Sequence, residues 1–313
     1  MRPLRSERMS TETPPAARVD PSSGAAEGHR RGRREDEFSG EHHVYEPHRI
    51  GLPPMRPYLR TLMQRREFAY ELSWTNLRAQ HFNTVFGQFW LVINPLLLAL
   101  IYFVLVDILR RGSRGTDFFA HLMAGLFAFT MVNQAVTQGA KSVTSGGRLI
   151  LNTAFPRMLL PLSAVLTAVL RFLPTTAVYA AVHVAAGLPI GWHLLWVPVL
   201  FVLLAVFTVG ATSLIAAATV YFRDISSFLP YVMRIWLYAS PVLYYIEDVP
   251  RRFHLITDLN PLAPILGAWG DVLTRGEPPS AGRLALGAAW SAGVFVVGVL
   301  FFISREREFA VRL

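Results

Sequence analysis

The chain has no cysteine, one lysine and few charged residues for its length. The absence of cysteine from all 313 residues excludes disulfides, thiolate zinc sites, iron–sulfur clusters and a cysteine nucleophile. The one lysine, Lys141, follows Ala140 and does not belong to a G-x-x-x-x-G-K-[ST] motif, so the sequence has no phosphate-binding loop for a nucleotide. Charged residues make up 16% of the chain and hydrophobic residues 52%, whereas soluble domains carry about 25% charged residues. This balance argues against an ordinary soluble enzyme.

The hydrophobic residues are gathered into six long runs from residue 89 onward. Each run has about 17–28 residues, enough for a helix to cross about 30 Å of hydrocarbon. Two runs contain one charged residue each, Arg171 in the third and Arg234 in the fifth, and a soluble domain of this size could not bury six such helices. The sequence therefore predicts an all-α membrane protein with six transmembrane helices, or seven if 260–273 also inserts. The six runs are 89–106, 118–137, 158–182, 194–221, 228–246 and 284–303.

The residues before the first run differ in composition from the rest. Pro, Ser, Gly, Glu and Arg dominate the beginning, which lacks the apolar core of a signal peptide and is expected to be a disordered, charged cytoplasmic tail. A 4-3-4-3-4-3 spacing then predicts an amphipathic helix, with a stripe formed by Phe68, Leu72, Thr75, Ala79, Phe82, Phe86 and Phe89. This helix either lies flat on the cytoplasmic leaflet or packs against its own bundle. The predicted divisions are a tail at 1–55, an interfacial helix at 56–88 and a membrane domain at 89–313.

The even number of spans and the absence of a signal peptide place both termini in the cytoplasm. The formal net charge of +9 comes from flanks and loops and not from one basic face. Binding to nucleic acid is therefore not expected, and a multi-pass protein of the cytoplasmic membrane accounts for the same charge. No constellation of metal ligands or catalytic side chains is apparent, and no metal or cofactor is expected in this chain.

The joint between the second and third runs, residues 139–161, is a first candidate for function. It is polar, contains three cations and then becomes apolar up to Phe155, Pro156 and Arg157. Pro156 is expected in the first turn of the third span, where its missing N–H is tolerated. A short helix followed by proline predicts a rigid docking element on the cytoplasmic side, and a plain connecting loop is the alternative.

The fifth run has the composition of a surface that lines a polar pathway. Pro230 and Pro241 are expected to break the helix, and Arg234 suits a phosphate or pyrophosphate. Aromatic rings stack on sugars, although a belt of aromatic residues at the membrane interface is an alternative explanation. The aromatic residues considered for the pathway are Tyr231, Trp236, Tyr238 and Tyr244.

Three further places stand out along the membrane domain. Arg171 lies in the middle of the third run and should face the bundle, a water-filled route or a partner subunit, because an arginine in lipid is costly. Arg223 and Asp224 are adjacent at the edge of the fourth span, where they either pair with each other, cap helix ends or act as a gate. Between the fifth and sixth spans, an amphipathic stretch predicts short extracytoplasmic helices.

Together these motifs resemble the membrane subunit of an ABC-2 type exporter, in the branch that exports polysaccharide, O-antigen or teichoic acid. The resemblance covers about residues 65–313, and the arginine and alanine bias is similar to actinobacterial members, for which cell-wall galactan is the best-fitting cargo. The motifs that carry it, in order, are Thr84-Val85-Phe86-Gly87, Phe155-Pro156-Arg157, Tyr221-Phe222-Arg223-Asp224, Ser240-Pro241-Val242 and Asn260-Pro261.

The resemblance implies a permease subunit with no enzymatic activity of its own. Two copies of the chain would form one pathway for a lipid-linked glycan among membrane lipids, and two copies of a cytoplasmic ATPase would bind ATP and Mg²⁺. The ATPase would dock on the joint after span two and on the helix before span one. The coupling residues are then Arg148, Leu149, Asn152, Phe155, Pro156 and Arg157, the gate is Arg223 and Asp224, and the pathway residues are Arg171, Tyr231, Arg234, Trp236, Tyr238 and Tyr244.

Three other functions compete with this interpretation. A membrane-integral enzyme acting on lipid-linked sugars needs acidic or histidine groups that converge, and the acids here are scattered along the edges of the spans. An ABC-2 permease for a drug or a lipid shares the same architecture. A gradient-driven transporter usually has internal repeats and acids inside its spans, and neither is apparent in the sequence.

Overall fold

The computed structural model describes residues 53–79, 89–110, 115–153, 155–250, 257 and 259–312, and these residues form helices joined by short turns, with no strand among them. The predicted tail lies outside the described residues except for 53–55. The helices are α1 (Met55–Gln64), α2 (Arg66–Ala79), α3 (Trp90–Arg110), α4 (Gly115–Ser145), α5 (Gly147–Asn152), α6 (Leu159–Ala185), α7 (Trp196–Tyr221), α8 (Ile225–Ala239), α9 (Ala263–Gly270), α10 (Ala281–Arg305) and α11 (Phe309–Arg312). Short 3₁₀ or π turns cover Trp192–Leu195, Ile246–Asp248, Asp271–Arg275 and Glu306–Glu308.

Four helices of the described chain are long and apolar enough to cross a membrane. They are α4, α6, α7 with the turn before it, and α10 with the residues after it. The other two predicted runs lie on shorter apolar stretches, because α3 is apolar over Val92–Ile108 and α8 has 15 residues. The prediction of an all-helical membrane protein is confirmed, and four of its six spans correspond to helices of full length.

Helix α4 forms the centre of the bundle. Of its most apolar 18 residues 78% are buried, against 39%, 33% and 28% in α6, α7 and α10. It packs against α6, α7, α8 and α9, and small residues allow close approach: a Cβ on Gly139 would lie 2.1 Å from Cγ2 of Thr212 on α7. The main hydrophobic core therefore surrounds α4, and the outer faces of α3 and α8 stay exposed.

Helices α7 and α10 cross with their backbones in contact. A Cβ added to Gly298 of α10 would lie 2.0 Å from the carbonyl oxygen of Gly210 on α7. A Cβ added to Gly210 would lie 2.5 Å from backbone atoms of Phe295. Small residues at such crossings let membrane helices pack closely without a side chain between them.

Helix α2 packs against α6 through its small residues. The Ser73 hydroxyl donates to the Ser163 carbonyl oxygen at 2.9 Å, and the buried face of α2 consists of Ala69, Ser73 and Leu77. The face predicted from the 4-3-4-3-4-3 spacing is therefore displaced by one residue, because serine and alanine allow the closest approach to α6. Of the predicted face, Phe68 and Leu72 are half-buried, and Thr75, Ala79 and Phe89 are exposed. Phe82 and Phe86 lie outside the described residues.

Two expectations about proline are wrong. Helix α6 begins at Leu159, so Pro156 precedes the helix, and Pro161 occupies the first turn. Pro230 is the sixth residue of α8 and does not end the helix, whereas α8 does end at Ala239, just before Pro241, as expected.

Contacts between residues far apart in the sequence show which segments lie at each end of the bundle. At one end, Tyr58 of α1 donates a hydrogen bond of 2.6 Å to the Glu306 carboxylate just after α10. At the other end, the ring of Tyr245, which follows α8, lies edge-on at 5.8 Å from Phe118 near the start of α4. The first and last described helices therefore meet at the same end, which also holds α5.

Candidate functional site

A polar stripe runs along the one face of α4 that the bundle leaves partly open. Between residues 118 and 140, most positions of α4 are buried. The partly exposed positions from 130 to 138 are all polar and recur at intervals of three and four residues, which places them on one face of the helix. A polar face on an apolar helix is expected to line an aqueous or ligand-filled space and not lipid. The stripe consists of Thr130, Asn133, Gln134, Thr137 and Gln138.

This stripe forms one wall of a cleft of about 380 Å³ between α3, α4 and α8. Leu98 and Tyr102 of α3 and Pro230, Met233 and Arg234 of α8 line the opposite side. Arg234 is exposed and is the one charged residue in this lining. The cleft therefore combines amide and hydroxyl groups with one guanidinium, which suits a ligand rich in hydroxyl groups that also carries an anionic group.

Two tyrosines connect the helices that border the cleft. The hydroxyl groups of Tyr102 on α3 and Tyr238 on α8 lie 3.4 Å apart, and their rings are edge-on at 6.3 Å. Of the other aromatic residues predicted for the pathway, Tyr231 is 67% exposed on α8 and lies outside the lining of the cleft. Tyr244 donates to the carbonyl oxygen of Ala239 at 3.0 Å.

Arg171 lies beside the same stripe. It is 7% exposed and, with Pro95 and Thr175, borders a smaller recess that shares Thr130 and Gln134 with the main cleft. The structure thus brings Arg171 and Arg234, from α6 and α8, to the same polar face of α4. Sequence reasoning placed both residues in a pathway without finding the stripe that connects them.

Asn260 closes the end of α8 next to the cleft. Its Oδ1 accepts hydrogen bonds from Trp236 Nε1 at 2.8 Å and from the Leu262 N–H at 3.0 Å. Its Nδ2 donates to the carbonyl oxygen of Ala239 and to Ser240 Oγ, both at 3.0 Å. The Trp236 indole N–H is therefore committed to this junction and is not a free donor toward the cleft.

The predicted coupling residues lie at the end of the bundle that holds α1. Helix α5 is six residues long and Leu149 is half-buried on it, while the side chains of Arg148 and Asn152 lie outside the described part of the chain. After α5, the Phe155 ring lies 5.1 Å from Phe68 of α2. This contact joins the coupling joint to the helix before the first span.

The carboxylate of Glu306 holds the segment that follows α5, and no sequence motif points to this residue. Glu306 accepts hydrogen bonds from Tyr58 and from the backbone N–H of Arg157, while the Arg157 guanidinium donates to the Glu306 carbonyl oxygen. Glu306 is 9% exposed and Pro156 beside it is buried. Burial and the Glu306 charge raise the pKa of Tyr58 well above its usual range, so the phenol keeps its proton and stays a donor.

The predicted gate is a short turn between α7 and α8. Arg223 and Asp224 are exposed, and neither takes part in an ion pair within the described part of the chain. Asp224 occupies the N-cap position of α8, but its side chain accepts no capping hydrogen bond there. The pairing and capping considered for these two residues are therefore absent from this structure.

An ion-pair cluster lies at the opposite end of the bundle. Glu247 accepts from Arg275 at 2.9 Å and from Arg283 at 3.4 Å, and Asp271 contacts both arginines. The Arg275 guanidinium lies 4.5 Å over the ring of Tyr245. Burial acts to raise the pKa of Glu247, but hydrogen bonds from its own backbone and the two arginines outweigh it, and the pKa is lowered. Among the described residues, no group of three His, Asp or Glu is arranged to hold a metal ion.

The comparison with protein families decides the class of this molecule. The sequence profile described as ABC-2 type transporter matches residues 69–269, well over half of the chain. The chain belongs to the ABC-2 type transporter family. The resemblance inferred from its motifs is therefore confirmed, and every residue that lines the main cleft lies within the matched range.

Individual relatives of this ABC-2 transporter are bacterial permeases. It is 28% identical to the O-antigen export system permease protein RfbA of Myxococcus xanthus over 256 residues, 80% of this chain and 97% of that protein. It is 29% identical to the protein of the same name from Klebsiella pneumoniae over 202 residues, 64% of this chain and 78% of that protein. These relatives are transport proteins, which agrees with a membrane subunit that is not itself an enzyme.

Two features of this ABC-2 transporter were missed by sequence reasoning for different reasons. The stripe on α4 is visible in the sequence as polar residues at positions 130, 133, 134, 137 and 138. A charged residue stands out in an apolar run, whereas uncharged amides and hydroxyls do not. Glu306 has no comparable signal, because Tyr58 lies 248 residues away, and both residues fall outside the range that the family profile matches.

Proposed function

We propose that this ABC-2 protein is the membrane subunit of an ATP-driven exporter that moves a lipid-linked polysaccharide across the cytoplasmic membrane. The observation that carries the proposal is the polar stripe of α4 facing Arg234 across a cleft inside an apolar bundle. The names of the relatives, which are O-antigen export permeases, support the same class of cargo. An apolar drug or a simple lipid offers few hydrogen-bonding groups to the amide side chains of this stripe, so a permease for such a cargo would not be expected to have them.

The chemistry of the cleft suits a glycan on a pyrophosphate carrier. Asn133, Gln134 and Gln138 can both donate and accept hydrogen bonds, which matches sugar hydroxyl groups. Arg234 provides a fixed positive charge that pairs with pyrophosphate, and the ring of Tyr102, with Tyr238 packed edge-on against it, offers an apolar face for sugars. Arg171 extends this polar surface toward α6.

The contacts at the two ends support six crossings with both termini on one side. Because Tyr58 and Glu306 touch, the chain between them must cross the membrane an even number of times. The four long helices account for four crossings. Tyr245 reaches the end of the bundle opposite to Glu306, which supports a fifth crossing by α8 with the residues after it and a sixth by α3. The arginine-rich N-terminal flank favours the cytoplasm for this shared side.

The complete exporter would contain a second copy of this chain and two cytoplasmic ATPase subunits. The cleft borders α3 and α8, whose outer faces are exposed, so a two-fold partner could complete the pathway there. This chain contains no phosphate-binding loop, and ATP with Mg²⁺ would bind to the ATPase. The ATPase would dock on α5 with Arg148, Leu149, Asn152 and Phe155, next to α2. Arg223 and Asp224 would then lie at the cytoplasmic entrance.

The test uses the chain co-purified with its ATPase and reconstituted in lipid vesicles. A galactan carried on a polyprenyl pyrophosphate is the first substrate, and its ATP-dependent movement across the vesicle membrane is measured. Arg234→Gln is expected to reduce the rate about tenfold or more, the effect of losing a hydrogen bond to a charged group. Gln134→Leu should also reduce transport, while Gly293→Ala, on an exposed face of α10 with open space around it, should not.

The competing functions give different results in the same vesicles. Turnover of the lipid-linked sugar by the isolated chain without an ATPase would indicate a membrane-integral enzyme. ATP-dependent movement of an unglycosylated lipid, with no movement of the glycan-bearing carrier, would indicate a lipid permease. Uphill transport of the glycan by the isolated chain would refute the need for an ATPase subunit.

A further inference from the structure

The buried carboxylate of Glu306 joins three segments that are far apart in the sequence. Its Oε2 accepts from the Tyr58 hydroxyl of α1 at 2.6 Å, and its Oε1 accepts from the backbone N–H of Arg157 in the joint that follows α5. The third segment is the end of α10, which carries Glu306 itself. The Arg157 guanidinium also donates to the carbonyl oxygen of Glu306, so the joint is held by its backbone and by its side chain.

Separating these segments would leave a buried charged group without partners. Glu306 is 9% exposed, so water cannot easily replace a lost donor. Breaking a buried ion pair or a hydrogen bond to a buried carboxylate is more costly than breaking a surface contact. Phe302 and Phe309, which lie before and after Glu306 in the chain, are fully buried with their rings 5.2 Å apart. Their packing holds the short turn that carries Glu306. The three segments are therefore expected to move together.

The joint held by Glu306 is the part of the chain that α5 would move. Pro156 is buried, and Phe155 packs on Phe68 of α2, so the joint is short and stiff. We propose that Glu306 is a positioning residue that transmits a displacement of α5 to the last span and to α1. This inference rests on the proposed ATP-driven export, because the ATPase supplies the displacement.

Glu308 provides a matched control two residues away. Its carboxylate accepts from Tyr221 at 2.6 Å and pairs with Arg305 at 3.1 Å and Arg312 at 3.6 Å. These contacts connect the end of α7 with the end of α10 and do not involve Arg157 or Tyr58. The same substitution at 306 and 308 removes one negative charge from this end of the chain in both variants. Only the substitution at 306 removes the hydrogen bonds to Tyr58 and Arg157.

The first measurement tests the contact itself and needs no cargo. Hydrogen–deuterium exchange is followed in the full complex at the backbone amide of Arg157. Glu306→Leu removes both acceptor oxygens at similar size, so this N–H should exchange about tenfold faster or more. Glu308→Leu should leave the exchange rate at the wild-type value. Wild-type exchange in Glu306→Leu would overturn the inference.

The second measurement tests transmission. In vesicles containing the complex and the polyprenyl-pyrophosphate glycan, the number of ATP molecules hydrolysed per glycan moved should rise about fivefold or more in Glu306→Leu, as expected for the loss of charge-assisted hydrogen bonds. Tyr58→Phe should raise this ratio less, and Glu308→Leu should leave it unchanged. Equal losses of hydrolysis and export would show a role in folding alone and would overturn the inference. A wild-type complex that moves no lipid-linked glycan counts against the proposed function, and the exchange measurement then still decides whether Glu306 holds the joint.

Discussion

Replacing Gly298 with alanine should force α7 and α10 apart. A Cβ at this position would lie 2.0 Å from the carbonyl oxygen of Gly210, and ordinary van der Waals contact begins at 3.4 Å. The contact is with backbone and not with a flexible side chain, so no rotamer change can relieve it. The two helices would have to separate by about 1.4 Å, the difference between those two distances.

The expected magnitude combines two opposing effects. Overpacking of a close contact costs about 1–3 kcal/mol. Alanine is a better helix former than glycine by up to about 1 kcal/mol, which offsets part of that cost. Gly298→Ala should therefore lower the free energy of unfolding by about 1–2 kcal/mol. A Cβ added to Gly293 of the same helix would meet no atom within 4 Å, so Gly293→Ala should be neutral or slightly stabilising.

Denaturant titration of the purified protein in detergent, followed by tryptophan fluorescence, measures both variants under one condition. The comparison isolates the backbone contact, because both substitutions add the same methyl group to the same helix. A Gly298→Ala protein that is as stable as Gly293→Ala would show that α7 and α10 do not cross at Gly210 as described.

Two further predictions concern the opposite end of the bundle. Asn260→Ala should lower the free energy of unfolding by about 2–4 kcal/mol, because four hydrogen bonds end on this buried side chain, and denaturant titration against Asn76→Ala, an exposed amide, checks this. The pKa of Glu247 is lowered, so its ionised form stabilises the fold at neutral pH and that contribution disappears as the pH falls through the lowered pKa. Glu247→Gln should therefore lower Tm at pH 7 by about 1–3 °C, with the difference vanishing at acid pH once the Glu247 carboxylate is protonated in the folded state, while the exposed Glu277→Gln should not change Tm. An equal Tm difference at both pH values would contradict the assignment.

The helical fold and the position of the coupling joint could be predicted because both depend on local sequence. Five of the long apolar runs fall on helices, and the fifth run lies on α8 and the turns that follow it, since hydrophobicity and length are properties of consecutive residues. The short helix expected in the joint at residues 139–161 is α5, Gly147–Asn152. Arg234 could also be placed near a polar space, because a charged residue within an apolar run must avoid lipid.

The remaining features depend on which helices meet, which periodicity does not reveal. The spacing of Phe68 and Leu72 predicted a helix with the wrong face buried, because packing against α6 favours the small residues Ala69 and Ser73. The contact between Gly210 and Gly298 could not be predicted from two of the 22 glycines in the chain. For the same reason, the hydrogen bond between Tyr58 and Glu306 could not be predicted from the sequence.

The burial of α4 determines which parts of the molecule are free to move. Neighbouring helices cover the central part of α4 except along the polar stripe. A rotation or tilt of α4 would therefore break its packing contacts with the core. We therefore expect α4 to stay in place and the more exposed helices α3 and α8 to be the parts of the bundle that move. The proposed pathway would then widen by movement of one wall, while the amides of α4 on the other wall keep their positions.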